Sequence, residues 1–133
     1  MATRNYNSQS LHDKVIQTAA NQLNRQNHDV FTNLGSQHNV WIGNNYPDIV
    51  MTKKGTNTVE FIIEVETSDS INITEALNQW KKYATEIKAS FYLLVPLSNK
   101  NTVINLCKQV GISARFGTYQ TDVFGNVINI NYE

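Results

Sequence analysis

Thr58-Val-Glu-Phe-Ile-Ile-Glu-Val-Glu66 constrains the fold more than any other stretch of the chain. Its two-residue alternation, rich in β-branched and aromatic residues, specifies a strand. Val59, Phe61, Ile63 and Val65 take one face, and Glu60, Ile62, Glu64 and Glu66 take the other. Before it, Asp48–Thr52 reads as a second strand, joined through the basic turn Lys53-Lys-Gly-Thr-Asn57. After it, Asn72-Ile-Thr-Glu75 supplies an N-cap with a glutamate three residues on. Ile73, Ala76, Leu77, Trp80, Tyr83, Ala84 and Ile87 then recur at helical spacing, which predicts a helix over about 73–88. The apolar run Phe91–Leu97 reads as a buried strand. Strand, helix and buried strand in succession make a β-α-β crossover, with helices covering a sheet.

The flanking segments extend this core. Leu11, Val15, Ala19 and Leu23 recur at spacing four behind Ser10-x-x-Asp13, predicting a first helix over about 10–26 and a flexible polar tail at residues 1–8. Asp29–Leu34 suits a short strand, and Val40-Trp-Ile leads into the loop Gly43–Pro47. Lys100–Val110 reads as a helix closed by Gly111. Ala114–Gln120 and Asn126–Tyr132 form a C-terminal hairpin, with Gly125-Asn126 as its two-residue turn. The expectation is one α/β domain over 1–133, ordered α-β-β-β-α-β-α-β-β, with a mixed sheet flanked by helices.

Eleven basic residues balance eleven acidic ones, which excludes a binder relying on bulk positive charge. A single cysteine, Cys107, excludes a disulfide framework and multi-cysteine metal motifs. The N-terminus has no apolar segment of a signal peptide, and no apolar run approaches the ~20 residues of a membrane helix. The chain therefore reads as cytoplasmic, with no membrane. The 18 asparagines are spread along the chain and read as compositional bias rather than a tract. His12, His28 and His38 are too widely separated for a zinc motif, so they read as surface or capping residues, and Asp13 as a capping acid.

Chemistry concentrates in the acids. Period two makes Glu64 and Glu66 neighbours on one face. If the turn between the strands is Gly55-Thr-Asn57, then Lys54 faces Thr58, Thr52 faces Glu60, Val50 faces Ile62 and Asp48 faces Glu64. Opposed carboxylates either face water or share a divalent cation, as Mg²⁺ or Mn²⁺ is held for phosphate chemistry. The doublets Lys53-Lys54 and Lys81-Lys82 are two candidate edges of a phosphate-contacting groove.

Pro47-Asp48, a hairpin, and Glu64-Val65-Glu66 at the end of an apolar strand resemble the PD-(D/E)xK nuclease superfamily, whose α-β-β-β-α-β core matches the order over residues 10–97. Gln79-Trp-Lys-Lys-Tyr83 resembles the Q-x-x-x-Y motif of its RecB-type members, and spacing four leaves Gln79 and Tyr83 about 40° apart around the helix. The resemblance implies a restriction endonuclease-like fold and a metal-dependent endonuclease acting on DNA. Asp48, Glu64 and the carbonyl of Val65 would bind Mg²⁺ or Mn²⁺. Glu66 stands where the family carries lysine, as a further ligand or base. Gln79 would orient water and phosphate, Lys82 would substitute for the missing lysine, and Lys53, Lys54, Lys81 and Tyr83 would contact substrate. A homodimer or larger complex is expected, since a small neutral domain offers little surface to a duplex. The rival is a non-catalytic nucleic-acid-binding or assembly module on a degenerate nuclease fold. In a third reading the chain is an unrelated α/β protein whose acids merely face water, and then Asp48, Glu64 and Gln79 do not converge in space.

Overall fold

The structure, a computed structural model, describes residues 5–133. Helix α1 (Tyr6–Gln22) leads to β1 (His28–Thr32), β2 (Ile49–Lys53) and β3 (Val59–Val65). A 3₁₀ turn at Ser68–Ser70 precedes α2, spanning 73–86, in which the α-helical pieces Ile73–Glu75 and Lys81–Glu86 are joined by a π-turn at Ala76–Trp80. Then follow β4 (Ser90–Pro96), α3 (Lys100–Val110), β5 (Arg115–Thr121) and β6 (Val127–Tyr132). All six strands form one mixed sheet in sequential order. Pairing is antiparallel from β1 to β3, parallel from β3 to β5, and antiparallel again between β5 and β6. This is the α/β architecture expected of the crossover. No described helix is long and apolar enough to cross a membrane.

The sheet buries both faces. On one, Val50, Ile62, Leu93 and Val95 pack against Ala76, Trp80 and Tyr83 of α2 and Val103, Cys107 and Val110 of α3. Burial here pushes the Cys107 thiol up to about 11, so it is a core residue and no nucleophile. On the other, Ile49, Met51, Ile63, Val65 and Leu94 meet Val15, Ile16 and Ala19 of α1. Gly111, left-handed at φ 72°, ends α3 as anticipated.

Three local expectations are corrected. Helix α1 starts at Tyr6, because Asn5 caps it by accepting from the Ser8 N–H at 2.8 Å; Ser10 and Asp13 lie inside the helix. The tail expected at residues 1–8 thus shortens, and its first four residues lie outside the described region. The β5–β6 connection is not a two-residue turn. Asp122 Oδ1 accepts from the N–H groups of Phe124 and Asn126, and Gly125 at φ 80° completes a longer turn. Finally, a β-bulge interrupts the β2–β3 ladder. Ile49, Val50 and Met51 face Ile63, Ile62 and Phe61, yet Thr52 faces Val59, leaving Glu60 as the extra residue. Val59 is thereby turned to the α2 side, opposite Phe61. The Glu60 carboxylate lies 2.7 Å from His28 Nε2.

Candidate functional site

Beyond the bulge the register runs as deduced, so extrapolating the ladder by one step sets Asp48 opposite Glu64. Pro47 has no N–H to continue the ladder, and its carbonyl accepts from Asn33 Nδ2 at 2.8 Å. The two acids brace each other through the backbone. The Asp48 N–H donates to Glu64 Oε1 at 2.9 Å, and the Val65 N–H donates to Asp48 Oδ2 at 2.8 Å.

Both acids line a cavity of about 270 Å³. From α2 come Gln79, Lys82 and Tyr83, and from α1 come Gln9 and His12. Gln79 Nε2 reaches the Tyr83 hydroxyl at 3.4 Å. Tyr83 is buried, and burial followed by the Glu64 charge raises its hydroxyl far above the ordinary tyrosine range, so it acts only as a neutral hydrogen-bonding group. Asp48, Glu64, Gln79, Lys82 and Tyr83 therefore converge, and the reading of unrelated solvent-facing acids loses its premise.

Electrostatically the floor is short of positive charge. Glu64 is held well above its ordinary range, first by burial, then by the negative charges of Asp48, Glu66 and Glu75. Only the Asp48 N–H works in the opposite direction. Such a site is relieved by protonation or by a cation.

His12 is the residue that sequence reasoning placed wrongly. It is buried, with Nε2 at 3.0 Å from Asp48 Oδ2 and Nδ1 at 3.4 Å from Asp13 Oδ1. Asp13 caps nothing; it accepts from Gln9 Nε2 and from the Gly35 N–H, each at 3.0 Å, tying α1 to the loop after β1. A signal was available: His12 shares its line of spacing four with Ile16 and Ala20, both buried. His38 also lines the cavity, stacked on Tyr46.

Other expected site residues lie elsewhere. Glu66 is fully buried and absent from the cavity wall; one oxygen accepts from Trp80 Nε1 at 3.0 Å and the other from Ser70 Oγ. Its backbone carbonyl accepts from the Tyr119 hydroxyl at 2.8 Å. Lys53 and Lys54 sit at the far end of β2, about 17 Å along the strand from Asp48 at ~3.3 Å per residue. Lys54 there pairs with Asp29 at 3.2 Å. Lys81 is exposed and does not line the cavity.

Among the described residues, no three histidine, cysteine or acidic side chains already form a metal-ligating cluster. The donor chemistry nonetheless suits a hard divalent cation: two facing carboxylates with unbalanced charge, and an imidazole on one of them. His12 and the Val65 N–H both meet Asp48 Oδ2, so Oδ1 is the oxygen the residue offers to a cation. Comparisons with protein-family models, curated proteins and solved structures return no match to this chain.

Proposed function

We propose that this chain is a metal-dependent nuclease domain hydrolysing DNA phosphodiester bonds, built on a PD-(D/E)xK-type core. The observation that carries the reading is the meeting of Asp48 and Glu64 with Gln79, Lys82 and Tyr83 in one cavity. The sheet order and the crossover through α2 are compatible with that core. Asp48 and Glu64 would hold Mg²⁺ or Mn²⁺, with the Val65 carbonyl as a further candidate ligand. The ion would supply Lewis acidity and a more acidic bound water. His12 orients Asp48, and Asp13 in turn orients His12. Lys82, half-buried at the cavity wall, supplies the positive charge that residue 66 does not, placed to meet a phosphate oxygen. Gln79 and Tyr83 offer an amide and a neutral hydroxyl to water or phosphate. A C₂ homodimer would set two such sites on two strands.

One observation favours a second reading, a non-catalytic nucleic-acid-binding or assembly module. Glu66, at the position of the family's lysine, is locked into the core by Trp80 and Ser70. Calorimetric titration with Mn²⁺, beside cleavage assays on single- and double-stranded DNA, separates the two. The nuclease reading expects binding that is lost in both Asp48→Ala and Glu64→Gln. It also expects Lys82→Ala to keep Mn²⁺ binding and lose cleavage at least about 100-fold. Metal binding without cleavage of any DNA favours the module. Absence of metal binding in the native chain overturns the nuclease.

A further inference from the structure

The connection between β1 and β2, residues 33–48, is long for a compact domain, where such loops are either functional or disordered. This one is ordered from within. Asn33 is buried at its hub: Nδ2 donates to the carbonyls of Val40 and Pro47, both at 2.8 Å, and Oδ1 accepts from the N–H groups of Asn39 and Val40. Ile42 and Asn45 exchange both backbone hydrogen bonds, at 2.9 and 3.0 Å, around Gly43 at φ 61°. A loop fixed this firmly still leaves its rings outside. Trp41 is 63% exposed, and Tyr46, 39% exposed, stacks with His38 at 3.8 Å between centroids and 16° between planes.

The same loop walls the acid cavity through His38, Asn44, Asn45 and Tyr46. Asn45 is nine-tenths buried, and its Oδ1 has no hydrogen-bond partner among the described residues. Among the described residues lining the cavity, Lys82 is the only lysine or arginine. Duplex binding depends on many phosphate neutralisations, which this wall does not offer. Rings and amides suit an unpaired base: its face stacks on an aromatic plane, and its edge meets side-chain amides.

From these features we infer that the 33–48 loop is a platform for single-stranded DNA, on which an unpaired base stacks against Trp41 or the His38–Tyr46 pair while its neighbouring nucleotide enters the cavity. The inference rests on the nuclease reading for its polymer and names the form of DNA that the site takes.

The two tryptophans make the test direct, since Trp80 is fully buried and Trp41 is not. In EDTA, so that nothing is cleaved, the chain is titrated with an oligonucleotide of about 16 bases and with its blunt duplex. Trp41 fluorescence and the anisotropy of an end label are followed together. The single strand is expected to quench Trp41 and bind at least about tenfold tighter than the duplex. Trp41→Leu and Tyr46→Leu should each weaken single-strand binding several-fold, and Trp41→Leu, which lies outside the cavity lining, should leave thermal stability and Mn²⁺ affinity unchanged. Equal affinity for both forms of DNA, or wild-type single-strand affinity in both variants, overturns the inference. The Mn²⁺ titration keeps the two proposals separable. Failure of metal binding with single-strand binding intact removes only the nuclease, whereas a normal metal site with equal affinity for single strand and duplex removes only the platform.

Discussion

Glu64, on β3, and Glu66, just past its end, stand two residues apart and are both buried, yet they have opposite surroundings. Glu64 opens on the cavity among other acids, with burial and like charge raising its affinity for a proton. Glu66 lies just past the end of β3, and both its oxygens take donors from Trp80 and Ser70. A carboxylate supplied with donors on both oxygens is part of the frame. One surrounded by its own charge is available for chemistry. The alternation that placed them together carries no information on which is which. That depends on the indole delivered by the π-turn of α2.

The largest effect should come from Glu66→Lys, which buries an ammonium against an indole N–H and a hydroxyl. We expect a loss of about 3–5 kcal/mol, seen as a collapsed thermal or urea midpoint by circular dichroism. A variant that folds normally and gains cleavage would break the comparison. Trp80→Phe keeps an aromatic ring and removes the donor to Glu66 Oε1. It should cost about 1–3 kcal/mol by urea denaturation, while Mn²⁺ affinity stays near native.

A smaller effect, opposite in sign, is expected at Glu64. Its pKa in the folded chain lies above the ordinary 4.5, so the native state holds the proton more tightly than the unfolded state. Its contribution is complete below 4.5 and is lost as pH rises through the elevated value. In metal-free buffer Glu64→Gln should therefore melt higher than the native chain near neutrality, by roughly 3–6 °C. The gap should close towards pH 4, and Mn²⁺ should raise the melting temperature of the native chain alone. A gap independent of pH would mean that Glu64 bears no charge strain. The smallest effect belongs to Lys53→Ala with Lys54→Ala. DNA affinity by anisotropy should change less than about twofold, because the turn lies at the opposite end of β2.

Much of this was legible because it depended on period and spacing. Alternation over 58–66 gave β3, the crossover gave the parallel pairing, and Val50 facing Ile62 gave the Asp48–Glu64 apposition. What was not legible required knowing which surfaces meet. His12 reaches Asp48 across 36 positions of sequence; its spacing-four line with Ile16 and Ala20 marks it as inward-facing but does not name the partner. The sealing of Glu66 likewise needs Trp80 rotated into place by a π-turn, a helix phase that an ideal 3.6-residue repeat does not anticipate. Lys53 and Lys54 were assigned to a groove because they are basic, but strand length carries them away from it.

The bulge at Glu60 acts as an expansion joint. Misfit arising in the 53–58 turn is absorbed between Met51 and Thr52, one extra residue against the partner strand, and it goes no further along the ladder. A slip in that turn would meet the bulge before it reached Asp48 and Glu64. The tip is moored to β1 through Asp29, and the base is kept aligned by the ladder together with the hydrogen bonds joining Asp48, Glu64 and Val65.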